Sequence, residues 1–203
     1  LAAELRAQDG LEVTVYGVPA YSTLGWMNWA GGDPLVSTII AWPAGALARI
    51  LFHELAHQRV YAKGDTMFNE SYATAVGRLG AAQWLAGHAD DAARRADARW
   101  QAHQQAFRAL TRATRAELAA IYDKKGPEGL SESALLALKT EAMARFRERY
   151  QALKARWAAA GMPYDGYDAW VAHANNASFA LQAAYDEWVP GFEALFAQEG
   201  RDW

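Results

Sequence analysis

Two apolar series of helical period, separated by one short break, constrain this chain more than any other feature. Trp100, His103, Phe107, Leu110, Thr114, Leu118 and Ile121 recur three or four residues apart between about His88 and Asp123. Leu135, Leu138, Ala142, Phe146, Tyr150, Leu153 and Trp157 do the same after the break KKGPEGLS. A stripe at this spacing lies on one face of a helix, and a single helix cannot bury it alone. The two arms, each about 50 Å long at about 1.5 Å per residue, are expected to pair as an antiparallel helical hairpin over about 88–160. The nine tryptophans and these aromatic series read as core and hairpin seam rather than as a ligand box.

Outside the hairpin the signals are shorter. The stretch LEVTVYGVPAYSTLGW (11–26) alternates β-branched and aromatic residues, with breaks at Gly17, Pro19 and Gly25, and predicts one or two short strands. Asp33 can cap and Pro34 can start a short helix, and Pro43 suits the first turn of a longer one running to about Lys63. The stretch 68–86 is predicted helical from the spacing of Tyr72, Val76, Leu79 and Gln83. The turn GMPYDGYDAW (161–170) ends the hairpin, and 173–196 predicts a last helix interrupted or restarted at Pro190. With 203 residues at 52% hydrophobic content, one domain spanning 1–203, with the hairpin as an insertion, is the expected organisation.

Composition removes several function classes. The net charge is -3, with no basic block interleaved with aromatics, so nucleic acid is not an expected partner. No apolar run reaches the roughly 18 to 20 residues of a membrane-spanning helix. The opening LAAELRAQDG lacks the pattern of a signal peptide and starts without methionine, as a processed or trimmed fragment would. The absence of cysteine excludes disulfides and thiolate chemistry and leaves the compartment open.

Against this background LFHELAHQRVYAKGDTMFNESYA (51–73) stands out. Residues four apart share a helical face, so His53 and His57 aim their imidazoles at a common point, as two ligands of a tetrahedral Zn²⁺ must. Ile50, Leu51, Phe52, Leu55, Ala56 and Val60 surround them, and unpaired ionisable groups in such a segment would each cost several kcal/mol. A metal removes that cost. Two residues hold zinc weakly, and Glu70 is the best third ligand, because the chain can turn at KGDT and bring the next helix back across the first. Zinc lowers the pKa of a bound water, and Glu54 can then take the water's proton and pass it to a leaving amine. Asp65 could orient a ligand histidine, and Asn69 could hold Glu70 or the substrate backbone. A donor to the transition-state oxygen is expected from His173, Asn175, Asn176 or Tyr185, with Tyr185 favoured because its phenol donates without changing charge. The strand region 11–26 could serve as an edge aligning an extended peptide.

HELAHQ with NESYA after it resembles the gluzincin class of zinc aminopeptidases, whose motif is His-Glu-x-x-His followed by Asn-Glu-x-x-Ala. That class has a longer spacing than the twelve residues between His57 and Glu70, and the segment with which its large members read the free amine has no counterpart here. More closely, YGVPAYSTLGW, DP, FHELAHQRVYAKGDTMFNESYA and the NNA at 175–177 resemble a family of predicted bacterial aminopeptidases. The resemblance implies one zinc per chain on His53, His57 and Glu70, with Glu54 as base, and a peptide substrate with a free amino terminus. It also implies an N-terminal extension, often a lipoprotein signal, and hence a cell-envelope or periplasmic address.

The expected fold is therefore mainly α, a zincin-like metallopeptidase core with a short β segment near the N-terminus and a long antiparallel helical hairpin. The expected function is zinc-dependent removal of N-terminal residues from peptides. Two rivals are an endopeptidase or amidase on the same site, and a binding or scaffold protein that keeps the metal as a structural staple. A base beside the site argues against the second, since structural zinc has no use for one.

Overall fold

The computed structural model describes residues 2–9, 11–15, 17, 29, 35–124, 129–181 and 188–203. Regular structure among them is helical throughout: α1 (Ala2–Asp9), α2 (Ser37–Ile40), α3 (Ala44–His57), α4 (Thr66–His88), α5 (Asp91–Tyr122), α6 (Glu132–Ala159), α7 (Asp168–His173), α8 (Asn176–Leu181) and α9 (Val189–Gln198). The chain divides into two compact units, Leu1–Val15 with Gln101–Leu181, and Tyr16–Trp100 with Gln182–Trp203. No helix among the described residues is long and apolar enough to cross a membrane.

The first unit is built on the two predicted arms, present as the later part of α5 and the whole of α6. Their partners run in opposite order: His103 meets Trp157 edge-on at 4.8 Å and Phe107 meets Tyr150 at 6.0 Å. Nearer the break, Arg145 and Arg149 both donate to Glu117. Leu135, Ala142, Phe146, Tyr150, Leu153 and Trp157 of the second series are all buried. Tyr167 stacks on Phe107 at 3.8 Å, and Trp170 and Phe179 close over Phe146, so this core is made of large aromatic rings.

The N-terminal segment of this unit corrects the predicted fold. Residues 11–15 form no strand, and no strand occurs among the described residues, so neither the short β segment nor a zincin-like core is present there. Tyr16, 18–28 and the predicted Asp33 and Pro34 lie outside the described residues. A strand needs a second strand for its main-chain groups. Here side chains take that place: Asn175 Nδ2 donates to the Val13 carbonyl at 3.3 Å, Glu12 accepts from the Asn176 N–H and from Lys139, and Ser178 reaches Thr14. The alternation does not bury a face either, with Leu11 53% and Val15 77% exposed.

In the second unit α3 and α4 lie antiparallel and unusually close. Small residues permit this: Ala46 and Ala56 on α3, and Ala73 and Ala81 on α4, are all buried. A Cβ placed on Gly77 would come within 2.7 Å of the Arg49 carbonyl oxygen, and one on Gly80 within 2.9 Å of the Phe52 ring. On the other side of α4, Phe192 of α9 packs edge-on against Phe68 and Tyr72. Pro190 sits in the first turn of α9, so it starts that helix rather than interrupting a longer one. The first turns of α5 also belong here, since Asp97 accepts from Arg49 and its carboxylate fills the space a Cβ on Gly45 would need.

Candidate metal centre

α3 ends at His57, six residues short of the predicted Lys63. Val60 N still bonds back to the Ala56 carbonyl, but the next groups leave the helical pattern. Ala62 N–H, which a longer helix would turn to residue 58, donates instead to Asn69 Oδ1 at 2.7 Å. The chain then turns: Asp65 N–H bonds to the Ala62 carbonyl at 3.2 Å across Gly64, whose φ of 85° is the left-handed conformation a tight turn asks of its third residue. Asp65 caps α4 by accepting from Phe68 N–H at 2.9 Å, which starts that helix early enough to carry Asn69 and Glu70 in its opening turns.

The result is that His53, His57 and Glu70 converge. The two imidazole Nε2 atoms are 3.2 Å apart, and Glu70 Oε2 is 3.4 Å from His53 and its Oε1 3.7 Å from His57. Each side chain is largely buried, at 15%, 9% and 20% exposed. One ligand atom from each lies within 4.8 Å of the others, and this is the group among the described residues with metal-holding geometry. Gly77 contributes from α4, since any Cβ there would stand 3.3 Å from the His53 Cβ.

The donor set fits a cation. Two imidazole nitrogens and a carboxylate present lone pairs to one point, and these repel unless a proton or a metal lies between them. Protonation is the poorer remedy: burial and the neighbouring His53 hold His57 below the usual imidazole range, against the opposite pull of Glu70. The neutral ring, which metal binding needs, is the form favoured here. His57 Nδ1 is buried without a hydrogen-bond partner among the described residues, and Nε2 is the ring atom turned toward His53 and Glu70.

The other predicted residues divide clearly. Glu54 is half-buried on α3, one residue from His53. Asp65 is an N-cap, and Asn69, only 3% exposed, grips the Ala62 main chain with both ends of its amide. His173, exposed at the end of α7, belongs to the other unit, as do Asn175 and Asn176, whose side chains bond to Val13 and to the Tyr122 hydroxyl. Tyr185 lies outside the described residues. Gly77 and Ala62 are the site-forming positions the sequence reading did not name. A glycine pair three apart in an alanine-rich helix was the available signal for the first; the second had none, because any residue's main chain could serve.

No curated protein and no solved structure matches the chain at a significant level. The model of the family described as "Putative aminopeptidase" matches residues 1–203, and the chain belongs to that family.

Proposed function

We propose that this chain is a zinc-dependent aminopeptidase in which His53, His57 and Glu70 hold one Zn²⁺ and Glu54 is the general base. The observation that carries the reading is the convergence of two imidazoles and a carboxylate at 3.2 to 3.7 Å across two helices. Membership of an aminopeptidase family supports a peptide substrate attacked from its amino terminus. Zinc, when bound, supplies Lewis acidity toward a water and a peptide carbonyl.

The remaining chemistry belongs to the protein. His53 and His57 would offer their imidazole nitrogens and Glu70 the single carboxylate of the set, whose charge would offset part of the dication. Glu54 receives a proton from the attacking water and delivers it to the amine nitrogen as the peptide bond breaks, which makes it base and then acid in one turnover.

The test is Glu54→Gln. The amide keeps the shape of the acid and the zinc ligands are untouched, yet it cannot accept a proton. Turnover of an aminoacyl amide at matched zinc content is expected to fall by about 10² to 10⁴-fold, with helix content unchanged by circular dichroism. A mutant keeping more than about a tenth of the rate removes Glu54 from the mechanism. Equal activity on a free-amine dipeptide analogue and its N-blocked form makes the enzyme an endopeptidase or amidase. No hydrolysis of either substrate leaves a binding protein with a structural metal.

A further inference from the structure

The residue beside Glu70 holds the site together in a way no motif describes. Asn69 is 3% exposed, and both faces of its amide are bonded to one residue of the loop after α3. Its Oδ1 accepts from the Ala62 N–H at 2.7 Å and its Nδ2 donates to the Ala62 carbonyl at 2.8 Å. The same carbonyl accepts from Asp65 N–H at 3.2 Å. Three hydrogen bonds therefore meet on the main chain of Ala62, between the last ligand of α3 and the ligand of α4.

The position of this clamp matters because the other α3–α4 restraints lie elsewhere. Gly77 against Arg49 and Gly80 against Phe52 fix the helices two to three turns along α4 from Glu70. At the ligand end, the chain leaves α3 at His57 and returns at Thr66. The intervening residues Gln58 to Tyr61, Lys63 and Gly64 are largely exposed and have little packing to hold them. A short polar loop of this kind is among the first parts of a protein to open locally. A two-point amide bond has a fixed direction as well as a fixed length, so it sets the rotation of the first turn of α4 against the end of α3.

We infer that Asn69 is a positioning residue for the metal centre: by clamping Ala62, it sets the distance of Glu70 from His57 and so the affinity of the site for zinc. This rests on the proposed zinc reading of the triad. Asn69 itself touches neither the metal ligands nor the substrate in this role; it acts through the loop. Partners that orient metal ligands typically change affinity by about 10- to 100-fold when removed.

The experiment measures zinc affinity of the full chain by competition with a chromophoric chelator, for the wild type, Asn69→Ala, Asn69→Gln and Val189→Ala. Val189, fully buried in α9, provides a loss of packing in the same unit at a residue that takes no part in the bonds to Ala62. Thermal melts of the zinc-free proteins report how far each substitution destabilises the fold. The expected result is a drop of about 10- to 100-fold in zinc affinity for Asn69→Ala and a drop of about 10-fold or less for Val189→Ala at a comparable fall in melting temperature. Asn69→Gln keeps the amide but is one methylene too long to repeat both bonds, and it guards against Asn69→Ala failing to fold. It is expected to fold and still to lose affinity. Asn69 variants that bind zinc as well as the wild type, or no worse than Val189→Ala, overturn the inference. A wild type that binds no zinc overturns the reading of the triad and this inference with it, a result distinct from a variant matching a zinc-binding wild type.

Discussion

His57 is the most demanding of the three candidate ligand positions. Its ring is buried, its ionised form is disfavoured, and its Nδ1 has no hydrogen-bond partner among the described residues, so in the absence of a cation it contributes little to stability. That gives a prediction opposite to the usual cost of removing a buried side chain. Without zinc, His57→Ala is expected to melt close to the wild type. With zinc at a hundred times its dissociation constant, the wild type gains about 2.7 kcal/mol and a clear rise in melting temperature, while the variant gains little. Paired thermal scans with a chelator and with zinc test this, and an equal zinc-induced rise in both proteins would remove His57 from the ligand set. Of the residues themselves, the His-Glu-x-x-His spacing and the downstream acid were legible, because helical geometry alone aims two of the ligands together. The role of Asn69 was not legible, since its partner is a main chain and leaves no mark in the sequence.

At the scale of elements, the centre depends on how near α4 comes to α3. Gly77→Ala would put a Cβ 2.7 Å from the Arg49 carbonyl oxygen, a main-chain atom of a helix that cannot yield without moving away. Gly80→Ala would meet Cγ and Cδ2 of Phe52 at 2.9 and 3.0 Å, and since turning the ring leaves Cγ in place, the whole side chain has to shift about its Cα–Cβ bond. Alanine in place of glycine gains about 1 kcal/mol of helix propensity at either position. Gly77→Ala is nonetheless expected to lose a net ~1–3 kcal/mol by overpacking and to weaken zinc binding as well, because His53 lies against the same spot. Gly80→Ala is expected to lose less than Gly77→Ala, because a side chain and not a main chain has to move. Urea unfolding of the two variants distinguishes them, and a Gly77→Ala as stable as Gly80→Ala would show that the helices separate at little cost. The helices were read from the sequence with fair boundaries where an apolar stripe marks them, as in α5 and α6. The end of α3 was misread because the residues after His57 are helix-compatible, and a hydrogen bond from Asn69 decides the matter. The N-terminal strand was misread for a different reason. Alternation predicts a strand only where a neighbour and a core face exist to receive it, and Glu12, Val13 and Thr14 are held by Lys139, Asn175, Asn176 and Ser178 instead.

At the scale of the whole molecule, each unit carries its own core, and the two are built differently. The core from Phe107 to Phe179 is made of large side chains and lies wholly within the first unit. The second unit is close-packed through alanine, glycine and serine, and it contains all three residues of the candidate metal centre. Asp97 and Trp100 hold Arg49 by an ion pair and a cation–π contact at 5.0 Å, and the division between the two units falls within α5 after Trp100. A shortened chain should respect that boundary. Removing 1–15 and replacing 101–181 with a Gly/Ser linker that joins Trp100 to Gln182 is expected to leave a folded protein. Its zinc affinity should lie within about tenfold of the full chain, a difference of about 1.4 kcal/mol. Loss of both helix content and zinc binding would mean that the second unit does not fold without the first. Hydrolysis then assigns the role of the removed unit. If the shortened protein keeps zinc and still cleaves an aminoacyl amide, Asn175, Asn176 and His173 serve only their own unit, as their bonds to Val13 and Tyr122 favour for the two asparagines. If it keeps zinc and loses cleavage, the removed unit carries a group that the substrate needs, and single alanine substitutions at 173, 175 and 176 in the full chain, read by loss of cleavage, would identify which.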